Sequence, residues 1–505
     1  MNILKDSINQ WCLGKCHAEE LPNYFSIGGS TCWYSRNTEC LEGSSDGRKV
    51  VILGTCVDVE GRIERKEIAQ RLCELDFGSF EKAVDGLCGV YVIFREDNNG
   101  EVFVFGDAIH MLSIYYGTTG PYKGIAASSE SLIVDDAKVI SAEGEEMDRC
   151  AFSSGRYLAG DLTMYEGVRC LLPNHYLDVS RAKAVRYFPR GKLQPAKSVD
   201  EVDAIIDDTV RLVGNVITQF AKTMKFASPL TPGGDSRVNC AFLRKIVPDA
   251  DVLYYTLRTY EVSLDKKNEE FIVDLAGTMG IKDFHVYPIL QCLTEDQLLE
   301  LQRVCGPTRP WDRTIWTYHP AVGMHGDGRT IVSGQLIGHL LGSAAGRGKP
   351  EWLLPKLYIR ALQGNTSNAA AKAVSRWYEE AIDKGNGYSV LDLWLWEIRC
   401  GRWNSNLISI NSLLGIRDVN FYNSTRIISE WCRIPRRLRV AKRKPLHIKL
   451  IERLLPDVAD IPFNPDYLVR GSSEHLPAFA SKIVPLWCRA IARYYYNKAR
   501  GFQSV

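Results

Sequence analysis

Short apolar runs separated by polar turns dominate the first 190 residues. Residues 50–53 and 89–94 are apolar, and the Asp-Asn-Asn-Gly sequence at 97–100 predicts a tight turn into a return strand at 102–105. Residues 111–116 predict a further strand. Between the first two runs, Ile68, Leu72 and Leu75 have helical spacing within 65–75. This mixture predicts a layered α+β domain over residues 1–190.

A different pattern follows a basic, proline-containing stretch at 181–197, which predicts a linker. Ser198 and Glu201 match a capping box, and apolar residues then keep helical spacing as far as Phe220. Strands are predicted at 251–256, 284–289 and 330–334, with a helix at 269–279. Strands that alternate with helices predict a doubly wound α/β domain with a parallel sheet, within residues 198–505.

The last part of the chain is predicted to be helical, at 369–382, 390–399, 424–433 and 445–455. Four tryptophans are interleaved with these segments. Such aromatic density is more typical of a packed helical core than of a surface that stacks nucleic-acid bases.

Composition and charge narrow the class of protein. The chain has 505 residues, 45% of them hydrophobic and 24% charged, which is typical of a globular protein with two or three domains. A net charge of +2 gives no support for nucleic-acid binding. The basic run at 433–444 is either a solvated segment or part of a site for a polyanionic substrate.

The expected location is the cytoplasm. The first residues lack the charged and apolar regions of a signal peptide, and no run approaches the ~18 apolar residues of a membrane span. Fifteen cysteines without the paired spacing of a zinc site predict mostly buried, reduced thiols.

The candidate chemistry lies in residues 228–237, Ser-Pro-Leu-Thr-Pro-Gly-Gly-Asp-Ser-Arg. Two glycines before the start of a helix let successive backbone N–H groups converge on an anion such as phosphate. Asp235 offers the hard oxygen ligand that Mg²⁺ takes. The alternative is an ordinary loop in which Asp235 or Ser236 caps the helix. In a doubly wound sheet this loop is expected beyond the carboxyl ends of the strands, where ligands bind.

The order of segments over residues 50–465 resembles the asparagine synthetase-like family, which includes β-lactam synthetases and lasso-peptide macrolactam cyclases. Four stretches of the first half carry the resemblance: 85–91, 106–116, 127–130 and 163–175. The resemblance implies an Ntn-type (glutamine-amidotransferase-like) β-sandwich followed by a PP-loop ATP-pyrophosphatase domain. Glutaminase members carry a cysteine after the initiator Met, and this chain has Asn2. The first domain is therefore not expected to hydrolyse glutamine.

The family's PP-loop, Ser-Gly-Gly-x-Asp-Ser, resembles residues 231–236. The resemblance implies that ATP contacts a set of residues in this loop and at two neighbouring strand ends: Leu230, Thr231, Gly233, Gly234, Asp235, Ser236, Thr256 and Gly334. It also implies that Asp235 binds Mg²⁺ and takes part in catalysis. Pro232 stands where the family has a glycine, and it removes one backbone donor.

The family's second landmark, Ser-Gly-Glu-Gly-x-Asp-Glu, resembles residues 333–339. Gly338 stands where the second metal-binding Asp belongs. Gln335 and His339 replace acids and are the further catalytic candidates, although Gln335 is unable to act as a base. Residues 444–456 resemble the helix that precedes the family's catalytic basic residue, but residues 460–464 stand in place of that residue.

The resemblance implies an ATP-dependent carbon–nitrogen ligase that forms AMP and pyrophosphate. A substrate carboxylate would be adenylated and then attacked by an amine, in lactam or peptide closure in a specialised-metabolite (antibiotic-type) pathway. The implied partner is a small molecule or peptide that carries both groups, without nucleic acid or membrane, and a homodimer is possible. The alternative is a catalytically degenerate relative that binds nucleotide or peptide and scaffolds a biosynthetic partner.

Overall fold

The computed structural model describes residues 7–14, 20–134, 158–257, 262–287, 328–341, 368–439 and 443–465, with isolated residues between 294 and 304 and between 488 and 495. Two antiparallel sheets come first along the chain, and a parallel sheet with helices follows. The predicted mixture of an antiparallel first part and a parallel second part is confirmed.

The described residues of the first part form twelve strands, β1 to β12, and two helices, α1 and α2. The strands are Trp11–Leu13, Asn23–Ile27, Ser30–Tyr34, Cys40–Ser45, Arg48–Asp58, Leu87–Glu96, Val102–Gly106, Tyr115–Gly117, Ala126–Ala127, Val168–Cys170, His175–Asp178 and Lys183–Arg186. The helices are Ile68–Cys73 and Phe77–Val84. One sheet has the order β10-β8-β9-β1-β3-β2, and the other has the order β12-β11-β7-β6-β5-β4.

The two sheets share a hydrophobic core. Trp11 of one sheet meets Phe94 of the other edge to face, with ring centroids 4.9 Å apart. Val51 and Leu53 of β5 belong to this core, whereas the alternating Val50 and Ile52 pack into a second cluster. Burial on both faces therefore explains why residues 50–53 are continuously apolar.

Strand β12 corrects the predicted linker. Residues 183–186 pair with β11, with His175 opposite Arg186 and Asp178 opposite Lys183, so residues 181–186 still belong to the first domain. The strand is polar because it lies at the edge of its sheet and pairs on one side only.

The second part begins with helix α3, Val199–Ala221, and Ser198 is its N-cap as predicted, although Glu201 bonds the N–H of Lys197 in place of that of Ser198. Ser198 Oγ accepts a hydrogen bond from the N–H of Glu201 at 3.1 Å, and Glu201 Oε2 accepts one from the N–H of Lys197 at 3.0 Å. Five parallel strands follow, β13 to β17: Phe226–Pro229, Val252–Leu257, Phe284–Tyr287, Thr330–Val332 and Arg417–Val419. Their order in the sheet is β15-β14-β13-β16-β17.

The remaining described helices are α4 to α11: Gly234–Ile246, Val262–Thr278, Asn368–Lys384, Val390–Trp394, Ser405–Leu413, Thr425–Arg433, Arg436–Arg439 and Pro445–Leu454. Two π-helical stretches, Ile337–Leu341 and Leu395–Asn404, were not predicted. Single turns of 3₁₀-helix occur at Arg65–Glu67, Gly120–Tyr122, Glu130–Leu132 and Pro456–Val458. The predicted helix at 390–399 is thus α-helical only in its first half.

Buried polar contacts join the two parts. Asn423, just beyond β17, donates to the carbonyl of Gly89 at 2.5 Å and to Asp107 Oδ1 at 2.7 Å. Trp396 Nε1 donates to the carbonyl of Ala108 at 2.6 Å. The first domain is therefore bonded directly to the segment that follows the carboxyl end of β17.

Cysteine chemistry agrees only in part with the sequence prediction. Ten of the described cysteines are free thiols, and eight of these are buried. Cys12 is disulfide-bonded.

Candidate functional site

The parallel sheet has its switch point between β13 and β16. The chain runs outward from β13 through β14 to β15, and it returns on the other side of β13 through β16 to β17. The segments that leave β13 and β16 therefore diverge, and they open a crevice beyond the carboxyl ends of these strands. The predicted loop at 230–236 and the predicted glycine at 334 both lie there.

The loop after β13 is closed by its own hydroxyl groups. The Thr231 N–H donates to Ser236 Oγ at 3.0 Å, the two hydroxyls lie 2.8 Å apart, and the Gly233 N–H donates to Thr231 Oγ1 at 3.3 Å. The Leu230 N–H donates to the carbonyl of Tyr255 at 2.7 Å, beside Thr256 near the end of β14. Two amides that a phosphate cradle would use are thus satisfied within the loop.

Helix α4 still presents donors to the crevice. It begins at Gly234, and its N-cap Gly233 supplies no side-chain cap. The N–H groups of Gly234, Asp235 and Ser236 lie in the first turn, where the helix offers them no acceptor. The positive end of the helix dipole adds to their attraction for an anion. Anion binding at this end agrees with the geometry.

Asp235 is held by two side chains at the N-terminal end of helix α11. Lys444 Nζ lies 3.0 Å and His447 Nε2 lies 2.8 Å from the same atom, Asp235 Oδ1. Burial raises the pKa of Asp235, but the hydrogen bond from His447 and the charge of Lys444 outweigh it and lower the pKa to about 2. The carboxylate is therefore ionised at neutral pH.

Lys444 reaches this position from a strained backbone. Its φ of 49° and ψ of 56° are left-handed, and it stands immediately before Pro445, the first residue of α11. A residue other than glycine in this conformation is destabilised by about 1 kcal/mol or more. Strain of this kind is concentrated at functional sites, and here it accompanies the contact of Lys444 with Asp235.

His447 acts as a neutral donor to Asp235. The ring is completely buried, and burial lowers its pKa despite the neighbouring Asp235. The ring is therefore uncharged at neutral pH and carries its proton on Nε2. Lys444 supplies the charge that balances Asp235.

Gly338 leaves no room for a second metal-binding carboxylate. A Cβ added to Gly338 would overlap Oδ2 of Asp235 and lie 2.9 Å from its Cγ. Oδ1 of Asp235 thus accepts from two donors, and Oδ2 has space beside it only because residue 338 lacks a side chain. The described residues contain no group of three or more His, Cys, Asp or Glu side chains that could hold a metal. Mg²⁺, which the resemblance implies at Asp235, does not fit this arrangement.

His339 also lies in this region, with both ring nitrogens engaged. Nδ1 lies 2.8 Å from the carbonyl of Gln335, and Nε2 accepts from Arg399 Nε at 3.3 Å. Burial and the charge of Arg399 lower the pKa of His339. Arg399 also lies over the ring of Trp403, 4.2 Å from its centroid. The neutral imidazole of His339 therefore connects the π-helical stretch Ile337–Leu341 to the π-helical stretch Leu395–Asn404.

Arg237 fastens a distant segment onto the loop. Its buried guanidinium donates to the carbonyls of Ile461 at 2.5 Å and Pro462 at 3.2 Å, and it lies over the ring of Phe463. Asn464 donates its N–H to the carbonyl of Pro232 at 3.0 Å. Burial lowers the pKa of Arg237 to about 10. Residues 461–464 therefore lie against the loop.

Asn239 contributes an unused donor to the crevice. Tyr422 donates its hydroxyl to Asn239 Oδ1 at 2.7 Å. Asn239 Nδ2 is buried and has no acceptor among the described residues, and it lies 3.2 Å from the position that a Cβ at Gly334 would take. A buried amide without an acceptor lowers the stability of the fold by about 1–3 kcal/mol, and a ligand oxygen that accepts from it would remove this cost.

The sequence predictions and the site agree in part. The structure brings Asp235 together with Gly334, Gly338 and the loop, as predicted. Sequence reasoning missed Lys444 and His447 as partners of Asp235, although both stand in the segment quoted for the resemblance. The catalytic roles of Asp235, Gln335 and His339 and the contacts of the loop with ATP remain predictions.

Two cavities lie away from this crevice. One, of about 530 Å³, lies between the first domain and α6, and its lining includes Tyr116, His175 and Trp377. The other, of about 510 Å³, lies near the starts of β13, β16 and β17 and includes Arg65 and Asp418. Neither contains a residue of the loop at 230–236.

No family model and no curated protein matches this chain. Among the helices in the described parts of the chain, none is both long and apolar enough to cross a membrane.

Proposed function

We propose that this chain is an asparagine synthetase-like protein with an Ntn-like first domain and a PP-loop-like second domain, which binds a nucleotide through its phosphate chain and has lost metal-dependent adenylation. The single observation that carries the proposal is the arrangement of Lys444 and His447 on Asp235, with Gly338 against the second oxygen. In this function the protein holds a ligand and scaffolds a biosynthetic partner.

Three groups of donors support nucleotide binding. The amides at the start of α4 converge at the switch point of the sheet, the Lys444 ammonium lies beside them, and Asn239 Nδ2 lacks an acceptor in the described residues. Phosphate oxygens accept from all of these donors. The preserved order of loop, helix and strand is the part of the resemblance on which binding depends.

The same site argues against a metal-dependent reaction. Asp235 is the one acid of the two family landmarks that this chain retains, since Gln335, Gly338 and His339 replace the others. Adenylation by Mg²⁺-ATP would place a second cation beside the carboxylate that Lys444 already neutralises.

The second candidate is the ATP-dependent amide-forming ligase. It is favoured by the direct contact between Lys444 and the ionised Asp235. If Lys444 moved to a phosphate group, Asp235 would be free. In that reaction the substrate carboxylate displaces pyrophosphate from ATP, and an amine then displaces AMP to give the amide. In this reaction the amine would be the substrate's own, so that the product is a lactam or a cyclic peptide.

Calorimetric titration with ATP and a pyrophosphate-release assay separate the two candidates. The proposed function predicts saturable ATP binding and no pyrophosphate release with mixtures of amino acids or peptides in the presence of Mg²⁺. Pyrophosphate release that Asp235→Ala abolishes would establish the ligase instead. Absence of ATP binding under every condition would refute both.

A further inference from the structure

Lys444 forms an ion pair with Asp235, and the arrangement around this pair indicates a further role for Lys444. The geometry points to Lys444 as an internal replacement for the divalent cation, so that the crevice binds a pyrophosphate group without metal. This inference rests on the proposed function, because it names the chemistry by which the same site holds a phosphate chain.

The first support is the position of the ammonium. Lys444 Nζ contacts Oδ1 of Asp235. The resemblance implies that the same carboxylate holds Mg²⁺. A cation at this point takes over the neutralising role of the metal. The ammonium and a hydrated Mg²⁺ would therefore compete for the same carboxylate, and Gly338 brings no second carboxylate to a metal.

The second support is the number of donors that Lys444 still offers. An ammonium has three N–H donors, and the described residues provide a partner for one of them, Asp235 Oδ1. The side chain is 19% exposed, so it is not sealed off from the crevice. Two donors are thereby available for phosphate oxygens.

The third support is the balance of charge around the crevice. Asp235 contributes one negative charge, while Lys444 and Arg237 contribute two positive charges. The Arg237 contacts are to carbonyl oxygens and to the Phe463 ring, which leave its charge uncompensated. The cluster has a net charge of +1 before any ligand binds, and it attracts an anion without help from a metal.

The fourth support is independent of the charged residues. Asn239 is 1% exposed, and its Nδ2 has no acceptor in the described structure. The amide faces Gly334, on the β16 side of the crevice, and Lys444 reaches Asp235 from helix α11. Donors from two directions suit a ligand with several oxygens, such as a pyrophosphate group.

Asp235 is then a positioning residue for Lys444 and not a metal ligand. His447 holds the carboxylate of Asp235 in place, and this carboxylate holds the ammonium of Lys444. Replacement of Asp235 by Asn removes a negative charge near the phosphates and leaves the Lys444 donors in place. Binding that depends on a metal at Asp235 would respond in the opposite way.

The test is calorimetric titration of the full chain with pyrophosphate and with ATP, in excess EDTA and in excess Mg²⁺. We expect affinities that agree within about threefold between the two conditions. Lys444→Met should weaken binding by about 10- to 100-fold, the loss expected for one charge-assisted hydrogen bond. Asp235→Asn should retain or tighten binding.

Lys449→Met is the matched control, because Lys449 lies on the same helix and pairs with Asp203 at 2.7 Å, away from Asp235. It should leave the affinity unchanged. Circular dichroism of each variant checks folding, and the EDTA comparison on the unaltered chain requires no variant.

Binding that appears only with Mg²⁺ and disappears in Asp235→Asn would overturn the inference while leaving nucleotide binding in place. Failure of both ligands to bind in EDTA and in Mg²⁺ would overturn the proposed function itself. An equal loss of affinity in Lys444→Met and Lys449→Met would also overturn the inference, because it would show a general charge effect.

Discussion

Substitution of Gly338 by alanine tests how closely the two loops of the switch point meet. The added methyl group would overlap Asp235 Oδ2 and lie 2.9 Å from Cγ and 3.3 Å from Oδ1. Ordinary contacts between such atoms are about 3.5 Å or longer. Asp235 has little freedom to retreat, because Lys444 and His447 both hold Oδ1.

The expected loss of unfolding free energy for Gly338→Ala is about 2 kcal/mol, in the middle of the range for overpacking a fixed site. The assay is equilibrium unfolding in urea, analysed only where the transition is two-state. In an Asp235→Ala background the same substitution should cost less than about 0.5 kcal/mol, because the overlapping atoms are gone. The difference is a coupling energy of about 1.5 kcal/mol between the two positions.

Gly277→Ala is the matched control for this prediction. Gly277 lies in helix α5, and a Cβ there would meet no atom within 4 Å. Alanine has the higher helix propensity, so this variant should gain up to about 1 kcal/mol. The reasoning is refuted if Gly338→Ala is as stable as the unaltered chain, or if its penalty is the same with and without the Asp235 side chain.

Two further predictions concern buried groups outside the site. Glu397 accepts from both terminal nitrogens of Arg186, at 2.6 and 2.8 Å. Glu397→Gln should therefore lower the unfolding free energy, measured by urea unfolding, by about 3 kcal/mol. A loss below about 1 kcal/mol would contradict this prediction. Burial lowers the pKa of His110 to about 3. Below pH ~6.5 the unfolded chain therefore binds a proton at this residue that the folded chain does not bind. The unfolding free energy should fall by about 1 kcal/mol between pH ~7 and pH ~5.5. His110→Asn should reduce this fall, since asparagine tolerates the left-handed backbone at position 110, and an unchanged pH dependence would exclude His110 as its source.

The fold was predictable where local patterns and tertiary structure agree. The capping box at Ser198 and the helical spacing after it predicted α3, and the alternation of strands and helices after residue 225 predicted the parallel sheet. Strand β12 was missed because an edge strand needs no apolar face to pair on one side. The π-helical stretch Leu395–Asn404 was missed because its apolar residues also satisfy helical spacing.

The candidate site was predictable only in its local half. The glycine loop, Asp235 and the start of a helix stand together in the sequence, and their place at the carboxyl edge follows from the sheet. Lys444 and His447 are 209 and 212 residues away from Asp235 along the chain. No local pattern pairs residues so far apart, and the resemblance suggested a metal where the structure has an ammonium.

The most direct measurement is a crystal structure of the protein grown with pyrophosphate and Mg²⁺. The account predicts a pyrophosphate group at the start of α4, Lys444 Nζ within hydrogen-bond distance of both Asp235 and a phosphate oxygen, and no metal bound to Asp235. A Mg²⁺ ion that bridges Asp235 and the pyrophosphate, with Lys444 displaced, would contradict it.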